Sequence, residues 1–151
     1  MEVKVKCLDA RAQMPAYATA GAAAADLHAV LDAPVTLAPG DRAMVPTGLA
    51  IQLPGPQWVA LVFARSGLAV KHGLALSNGV GVIDSDYRGE IKVGLVNLGR
   101  ESYTLQPGER VAQMMIAPVA LAAFVPCEDL DETDRGAGGF GSTGTGRLGG
   151  V

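Results

Sequence analysis

Midway along the chain, Gly81-Val82-Ile83-Asp84-Ser85-Asp86-Tyr87-Arg88-Gly89-Glu90 sets four ionisable side chains and a tyrosine between two apolar runs. An aspartate placed there can orient and deprotonate a water for attack on phosphorus, provided that cations meet the phosphoryl charge. Asp84 and Asp86 are two residues apart. They share a face in an extended backbone and diverge in a hairpin turn. A solvated, inert hairpin tip would have much the same composition, but Tyr87 gives the turn a rigid apolar wall.

Side chains that could meet such charge, directly or through a divalent cation, occur in three other places. Ala64-Arg65-Ser66-Gly67 joins the end of an apolar strand to a short helical stretch. It reads either as a capped connection with an exposed arginine or as an anion site, in which a guanidinium, a hydroxyl and a glycine permitting close approach converge. Asp26 follows the run Ala22 to Ala25, where an aspartate at a strand entrance ordinarily serves a turn. Gln113 stands between Ala112 and Met114, a polar residue in an apolar strand that would usually face solvent. His28 and His72 have no visible partners and receive no catalytic role.

The third place is the C-terminal end. From Cys127 the composition turns acidic and then glycine-rich, which divides the chain into a folded domain over 1–126 and a linker and arm over 127–151. A glycine-rich end is ordinarily a disordered terminus. Here, however, Arg135 introduces the stretch and Phe140 stands among glycines with Ser142 and Thr143 following. Freed backbone amides, one cation, two hydroxyls and a flat ring are parts that can close over a nucleotide. The Gly-x-Gly-x-x-Gly spacing from Gly136 to Gly141 is accidental, since no strand precedes it and no helix follows.

The elements that must position these groups are strands. Val3–Cys7, Ala50–Leu53, Val59–Phe63, Ile91–Val96 and Val111–Ile116 alternate or are β-branched, and Pro-Gly turns at 38–41, 53–56 and 106–109 punctuate them. This pattern predicts a sandwich, jelly roll or barrel. One short helix is expected, capped by Ser66 and stopped by Gly73. With 151 residues and 49% hydrophobic side chains, the chain supports one domain with a real core plus a tail. A net charge of −3 without a long basic run argues against non-specific binding to nucleic acid. No apolar run suits a membrane, the N-terminus lacks a signal-peptide core, and Cys7 and Cys127 follow a reduced pattern, so a cytoplasmic setting is expected.

Taken together, Gly21 through Leu27, Ala64 through Leu68, Asn78 through Gly89, Pro107 through Met114 and Arg135 through Gly144 resemble the five ordered motifs of the trimeric deoxyuridine triphosphatases, or dUTPases. The resemblance implies an all-β, distorted jelly-roll or β-barrel subunit with one short helix and a flexible glycine-rich C-terminal arm. It also implies a homotrimer whose active sites lie at subunit interfaces, each closed by an arm from another subunit. The implied reaction is magnesium-assisted hydrolysis of dUTP to dUMP and pyrophosphate, limiting uracil incorporation into DNA and supplying dUMP for thymidylate synthesis. On this chain, Asp84 would hold the attacking water. Asn78, Gly79, Val82 and Ile83 would read the uracil, with Tyr87 against the deoxyribose. Arg65, Ser66, Gly67 and Gln113 would hold phosphate oxygens, and Asp26 would approach Mg2+ through water. Arg135 and Phe140 would clamp the nucleotide, while Ser142 and Thr143 meet the terminal phosphate.

The chain departs from the family pattern at Ala22 to Ala25, where serine and glycine are usual, at Ala64, where proline is common, and at Gly79. None of these removes a proposed catalytic side chain. Two other readings share the resemblance: a dCTP deaminase of the same fold, which would need an acid/base group beside an exocyclic amine, and a nucleotide-binding regulator without turnover. A zinc deaminase lacks the His and Cys ligands it would require.

Overall fold

A computed structural model describes residues 1–140 and 142. Within them the alternating and β-branched runs form eleven strands and one helix: β1 (Lys4–Cys7), β2 (Ala25–His28), β3 (Val35–Leu37), β4 (Arg42–Pro46), β5 (Leu49–Gln52), β6 (Trp58–Ala64), α1 (Ser66–His72), β7 (Leu74–Leu76), β8 (Gly81–Ile83), β9 (Lys92–Asn97), β10 (Tyr103–Leu105) and β11 (Arg110–Pro118). All pairings are antiparallel. The ladders are β1-β5, β3-β10, a three-stranded sheet β4-β9-β7 and a four-stranded sheet β2-β11-β6-β8. The class is all-β and of the jelly-roll kind expected, with the described ladders left open rather than closed into a barrel. The chain divides into two compact units, Met1–Leu121 and Ala122–Val151.

One core serves the first unit. Leu27, Leu49, Leu74, Leu95, Leu105, Val45, Val93 and Val111 are fully buried and come from seven different strands. Each contributes roughly 1.5–3 kcal/mol by leaving water. The polar groups sealed among them are satisfied. Asn97 donates to the carbonyls of Leu37 and Glu101 and accepts from the Gly99 amide, while Thr47 donates to Ile91 O at 2.6 Å.

The single helix differs from expectation at its start. Arg65, with extended backbone, is the N-cap and makes no side-chain capping bond; Ser66 is already helical. The reason is that β6 runs straight into the helix, so its last extended residue becomes the cap whatever its side chain. The stop is as expected. Gly73 adopts the left-handed conformation at φ 73°, and its N–H donates to Ala69 O at 3.0 Å. A Cβ at Gly73 would also overlap the backbone of Gly99. Ala22 to Ala25 form no helix: a turn closes at Ala22, whose N–H donates to Thr19 O at 3.1 Å, and the run then bends into β2 at Ala25.

Candidate active site

Strand register brings two groups of the expected residues together. The first gathers on β2, β11 and the end of β6. Asp26 pairs across to Gln113, and Gln113 pairs on to Phe63. On its other edge Asp26 is held by its own amide, which donates to Ala16 O at 2.9 Å. The carboxylate is buried and takes two guanidinium contacts: Arg65 Nε at 2.9 Å on Oδ1 and Arg110 Nη1 at 3.0 Å on Oδ2. Arg65 also donates Nη1–H to Arg110 O at 3.4 Å. Gln113 does not simply face solvent; its Nε2 donates to Ala64 O at 3.0 Å, pinning the connection that carries Arg65, Ser66 and Gly67. A Cβ at Gly67 would meet nothing within 4 Å, so the start of α1 is open to an approaching group. His28, opposite Arg110 in the register, is held below its usual pKa by burial, with Asp26 opposing that shift.

The second group surrounds a cavity of about 400 Å³ between β8 and the three-stranded sheet. Asn78, Val82, Ile83, Asp84 and Tyr87 line it, with Val62, Leu76 and Ile91 behind and Met44 and Lys92 among the other walls. Gly79 is not in the lining. It serves the turn instead, at φ 74°. Past β8 the chain makes a turn in which Tyr87 N–H donates to Asp84 O at 3.2 Å. The two aspartates both border a neighbouring groove, and of the two only Asp84 also lines the cavity. Tyr87 is tied down by its hydroxyl, which donates to Glu90 O at 3.0 Å. Its ring lies across Gly89, where a Cβ would overlap it. Glu90 in turn accepts from the Gly48 amide at 2.9 Å, anchoring the end of the loop to the core.

The two groups are far apart within one chain. Gly81 pairs with Val62 and Ile83 with Ala60. Asp84 therefore lies three strands across and some four residues along from Asp26, or about 20 Å, at strand spacings near 4.8 Å and rises near 3.4 Å.

The dUTPase family model matches residues 10–144. The chain belongs to the dUTPase family. Among similar proteins, the deoxyuridine 5'-triphosphate nucleotidohydrolase of Burkholderia multivorans (strain ATCC 17616 / 249) is 55% identical over 146 residues, covering 95% of this chain and 99% of that protein. That of Aeromonas salmonicida (strain A449) is 52% identical over 147 residues, covering 95% and 97%. The solved structure of the Staphylococcus bacteriophage 80alpha dUTPase with dUPNHPP superposes with a TM-score of 0.86 at 26% identity, covering 95% of this chain and 98% of that one. A mutant dUTPase from phage phi11 of S. aureus, which reveals the coordination of a structural Mg(II) ion, shares the fold at a TM-score of 0.78 and 22% identity, covering 87% and 100%.

Within this dUTPase-family chain, the expected arm residues belong to the second unit. Gly136 N–H donates to Thr133 O at 2.9 Å and Arg135 Nε to Gly138 O at 2.8 Å, giving a short run of turns. Phe140 is fully exposed with a positive φ of 49°, and Ser142 N–H donates to Gly139 O at 3.0 Å. Thr143 lies outside the described residues.

Arg110 completes the Asp26 cluster, a role the sequence reading does not give it. It lies within the Pro107 through Met114 motif as a cation at the polar mouth of an apolar strand, and its contact with Asp26 becomes legible only once β11 is known to pair with β2. For a magnesium ion, the described residues hold no group of three His, Cys, Asp or Glu. They offer the single Asp26 carboxylate, whose Oδ2 accepts an N–H from Arg110 and whose Oδ1 lies 2.9 Å from Arg65 Nε in an ion pair. That donor set fits an ion held mainly by phosphate oxygens and waters, the coordination magnesium favours, with Asp26 reached through water.

Proposed function

We infer that this protein hydrolyses dUTP to dUMP and pyrophosphate, as a dUTP diphosphatase. The observation that carries the reading is the cavity beside Asp84 and Tyr87, set in a chain whose relatives at 55% and 52% identity are deoxyuridine 5'-triphosphate nucleotidohydrolases over nearly their full length.

In this reading the base and sugar occupy the cavity. Asn78 and the backbone of Val82 and Ile83 meet the uracil edge, and the narrow slot rejects a thymine methyl by sterics and cytosine by donor mismatch. The Tyr87 ring, fixed by its bond to Glu90 O, walls the deoxyribose against an added 2′-hydroxyl. Asp84, at the cavity rim, orients a water and takes its proton as the oxygen attacks the α-phosphorus. The phosphate chain meets Arg65, Ser66, Gly67 and Gln113. Arg65, ion-paired with Asp26, keeps guanidinium N–H groups beyond the one it gives to Arg110 O, and Gln113 keeps one amide N–H beyond that given to Ala64 O. Asp26 would hold a bound Mg2+ through water, and the ion would supply charge neutralisation to the phosphate chain. Arg135, Phe140, Ser142 and Thr143, on the arm of 127–151, close over the nucleotide and exclude bulk water.

The protein acts as a homotrimer with sites at subunit interfaces. The separation of about 20 Å between Asp26 and Asp84 supports this, because a triphosphate reaching out from the α-phosphorus cannot bridge it, so the two halves of one site come from different copies. An apolar face supports it too. Met115, Leu61 and Val82 pair directly across three strands on the side away from the core residues Ala60, Val62 and Met114, and Val82 is 64% exposed. No described helix is long and apolar enough to cross a membrane, and two exposed free cysteines suit a reducing cytoplasm. Neither nucleic acid nor membrane is proposed as a partner.

The test is pyrophosphate release from dUTP, dTTP, dCTP and UTP at equal concentration, first with magnesium and then with a chelator. Rapid release from dUTP alone, slowed by chelation, is expected. Ammonia from dCTP without pyrophosphate from dUTP would move the protein to the deaminase reading, and silence with all four would leave a nucleotide-binding regulator.

A further inference from the structure

Arg88 takes no part in the chemistry described above. It is not among the residues lining the cavity; it borders a neighbouring groove together with Ser85, Asp86 and Trp58, and Asp84 borders both. Yet its guanidinium is committed. Nη1 donates to Ser85 O and to Tyr87 O, each at 2.8 Å. One nitrogen with two hydrogens thereby fixes two peptide carbonyls that flank Asp86, within the turn closed by Tyr87 N–H on Asp84 O.

The loop needs such a fastening. Asp84, Asp86, Tyr87 and Arg88 are all exposed, so little apolar packing defines their backbone. The bond closing the turn is long at 3.2 Å. Tyr87 hydroxyl and Glu90 carboxylate tie down the downstream half, through Glu90 O and Gly48 N–H. The Arg88 bonds are what hold the half next to Asp84.

We propose that Arg88 is a positioning residue for hydrolysis. It clamps the carbonyls of Ser85 and Tyr87 from outside the cavity lining, so that Asp84 aims its water and Tyr87 stands against the sugar, without itself touching the nucleotide. The inference rests on the role given above to Asp84. Because both bonds are local and lie at the surface, losing them changes global stability little. Losing the aim of Asp84 changes turnover much more, since a displacement near 1 Å at a reacting centre costs on the order of 100-fold.

The experiment compares Arg88→Met and Arg88→Lys with the wild type in the full-length protein, reading kcat and KM for dUTP, thermal midpoint, and hydrogen exchange at the amides of 85–90. Arg88→Met is expected to lower kcat roughly 10- to 100-fold while KM and the thermal midpoint stay near wild type and the Tyr87 amide exchanges faster. Arg88→Lys, whose ammonium can still donate to these carbonyls, is expected to recover most of the lost kcat. Wild-type kcat in Arg88→Met overturns the proposal, as does a parallel fall in kcat and thermal midpoint that lysine does not rescue. Should Arg88→Met not fold, Arg88→Gln, a polar side chain shorter than arginine, decides in its place: reduced kcat at unchanged KM and thermal midpoint supports the clamp, and wild-type kcat or loss of the fold overturns it. Asp84→Asn is measured alongside. If it retains full turnover, the catalytic reading fails; if it is inactive while Arg88→Met is fully active, only the clamp fails.

Discussion

The cavity at the hairpin and the cluster around Asp26 are built in opposite ways. The hairpin is a local construction: Asp84, Tyr87, Arg88 and Glu90 fasten one another across one to three residues, and the cavity beside them is open and largely apolar behind. The cluster is assembled from distant chain segments. Asp26 meets Arg110 across 84 positions and Gln113 meets Ala64 across 49. Its charges also satisfy one another, with one buried carboxylate between two guanidinium groups. A flat uncharged base can enter a preformed slot at little cost in reorganisation. A polyphosphate instead has to compete with Asp26 for the arginines or use the N–H groups that Asp26 leaves free. In the proposed function, therefore, the hairpin region is the part for recognition and water activation, and the cluster the part for charge.

This contrast is sharpened most by substituting each region in turn. Asp84→Asn should lower kcat for dUTP by roughly 10²- to 10⁴-fold, the usual scale of a lost general base, with KM little changed. Because Asp84 is exposed, the thermal midpoint should hold, corresponding to less than about 0.5 kcal/mol. Steady-state kinetics and thermal melting check both halves, and unchanged kcat would remove water activation from the hairpin.

Asp26→Ala should be smaller in kcat but visible everywhere. It leaves Arg65 and Arg110 facing each other without their shared carboxylate. KM for dUTP and the magnesium concentration for half-maximal rate should both rise, and stability should fall by about 2 kcal/mol, the scale of a lost charge-assisted hydrogen-bonding partner. A magnesium titration and denaturant unfolding measure these; a loss of kcat alone, with stability intact, would erase the distinction between the regions.

The smallest effect concerns the support behind the cluster. Tyr103 donates to the Glu109 carboxylate, just before Arg110, and its hydroxyl is pushed up to about 12, first by burial and then by that bond. The folded state thus keeps the proton that the unfolded state gives up near its ordinary value of about 10. The contribution is complete below pH 10 and is lost as pH rises from about 10 to about 12. Thermal midpoints across that range should fall more steeply for the wild type than for Tyr103→Phe, and identical slopes would contradict the assignment.

The same contrast explains what could be read from the sequence. The hairpin was legible because its chemistry is contiguous: Asp84, Tyr87 and the following glycine fall within six residues, and Gly89 is needed because the Tyr87 ring lies across it. The strands were legible from alternation, and Gly73 from its position after the helical run. The cluster was only half legible. Asp26, Arg65 and Gln113 were recognised through resemblance to ordered motifs, whereas Arg110 depends on the pairing of β11 with β2, and register across some 80 residues leaves no local trace. Gln113 looked solvent-facing for the same reason, since its partner Ala64 O belongs to a neighbouring strand. The cap at Arg65 was missed because propensity favours Ser66, while the straight run of β6 decides where extended backbone ends.

In the proposed assembly the two regions of one site come from different copies of the chain. It is tested by co-expressing Asp84→Asn with Arg65→Met and measuring pyrophosphate release from dUTP against each variant alone. Each variant alone should be nearly inactive. In the mixed assemblies an intact Asp84 hairpin meets an intact Arg65 cluster across about a quarter of the interfaces under random symmetric assembly, so activity should return to about that fraction of wild type. If the mixture is no more active than its two components, both halves act within a single chain and the account is wrong.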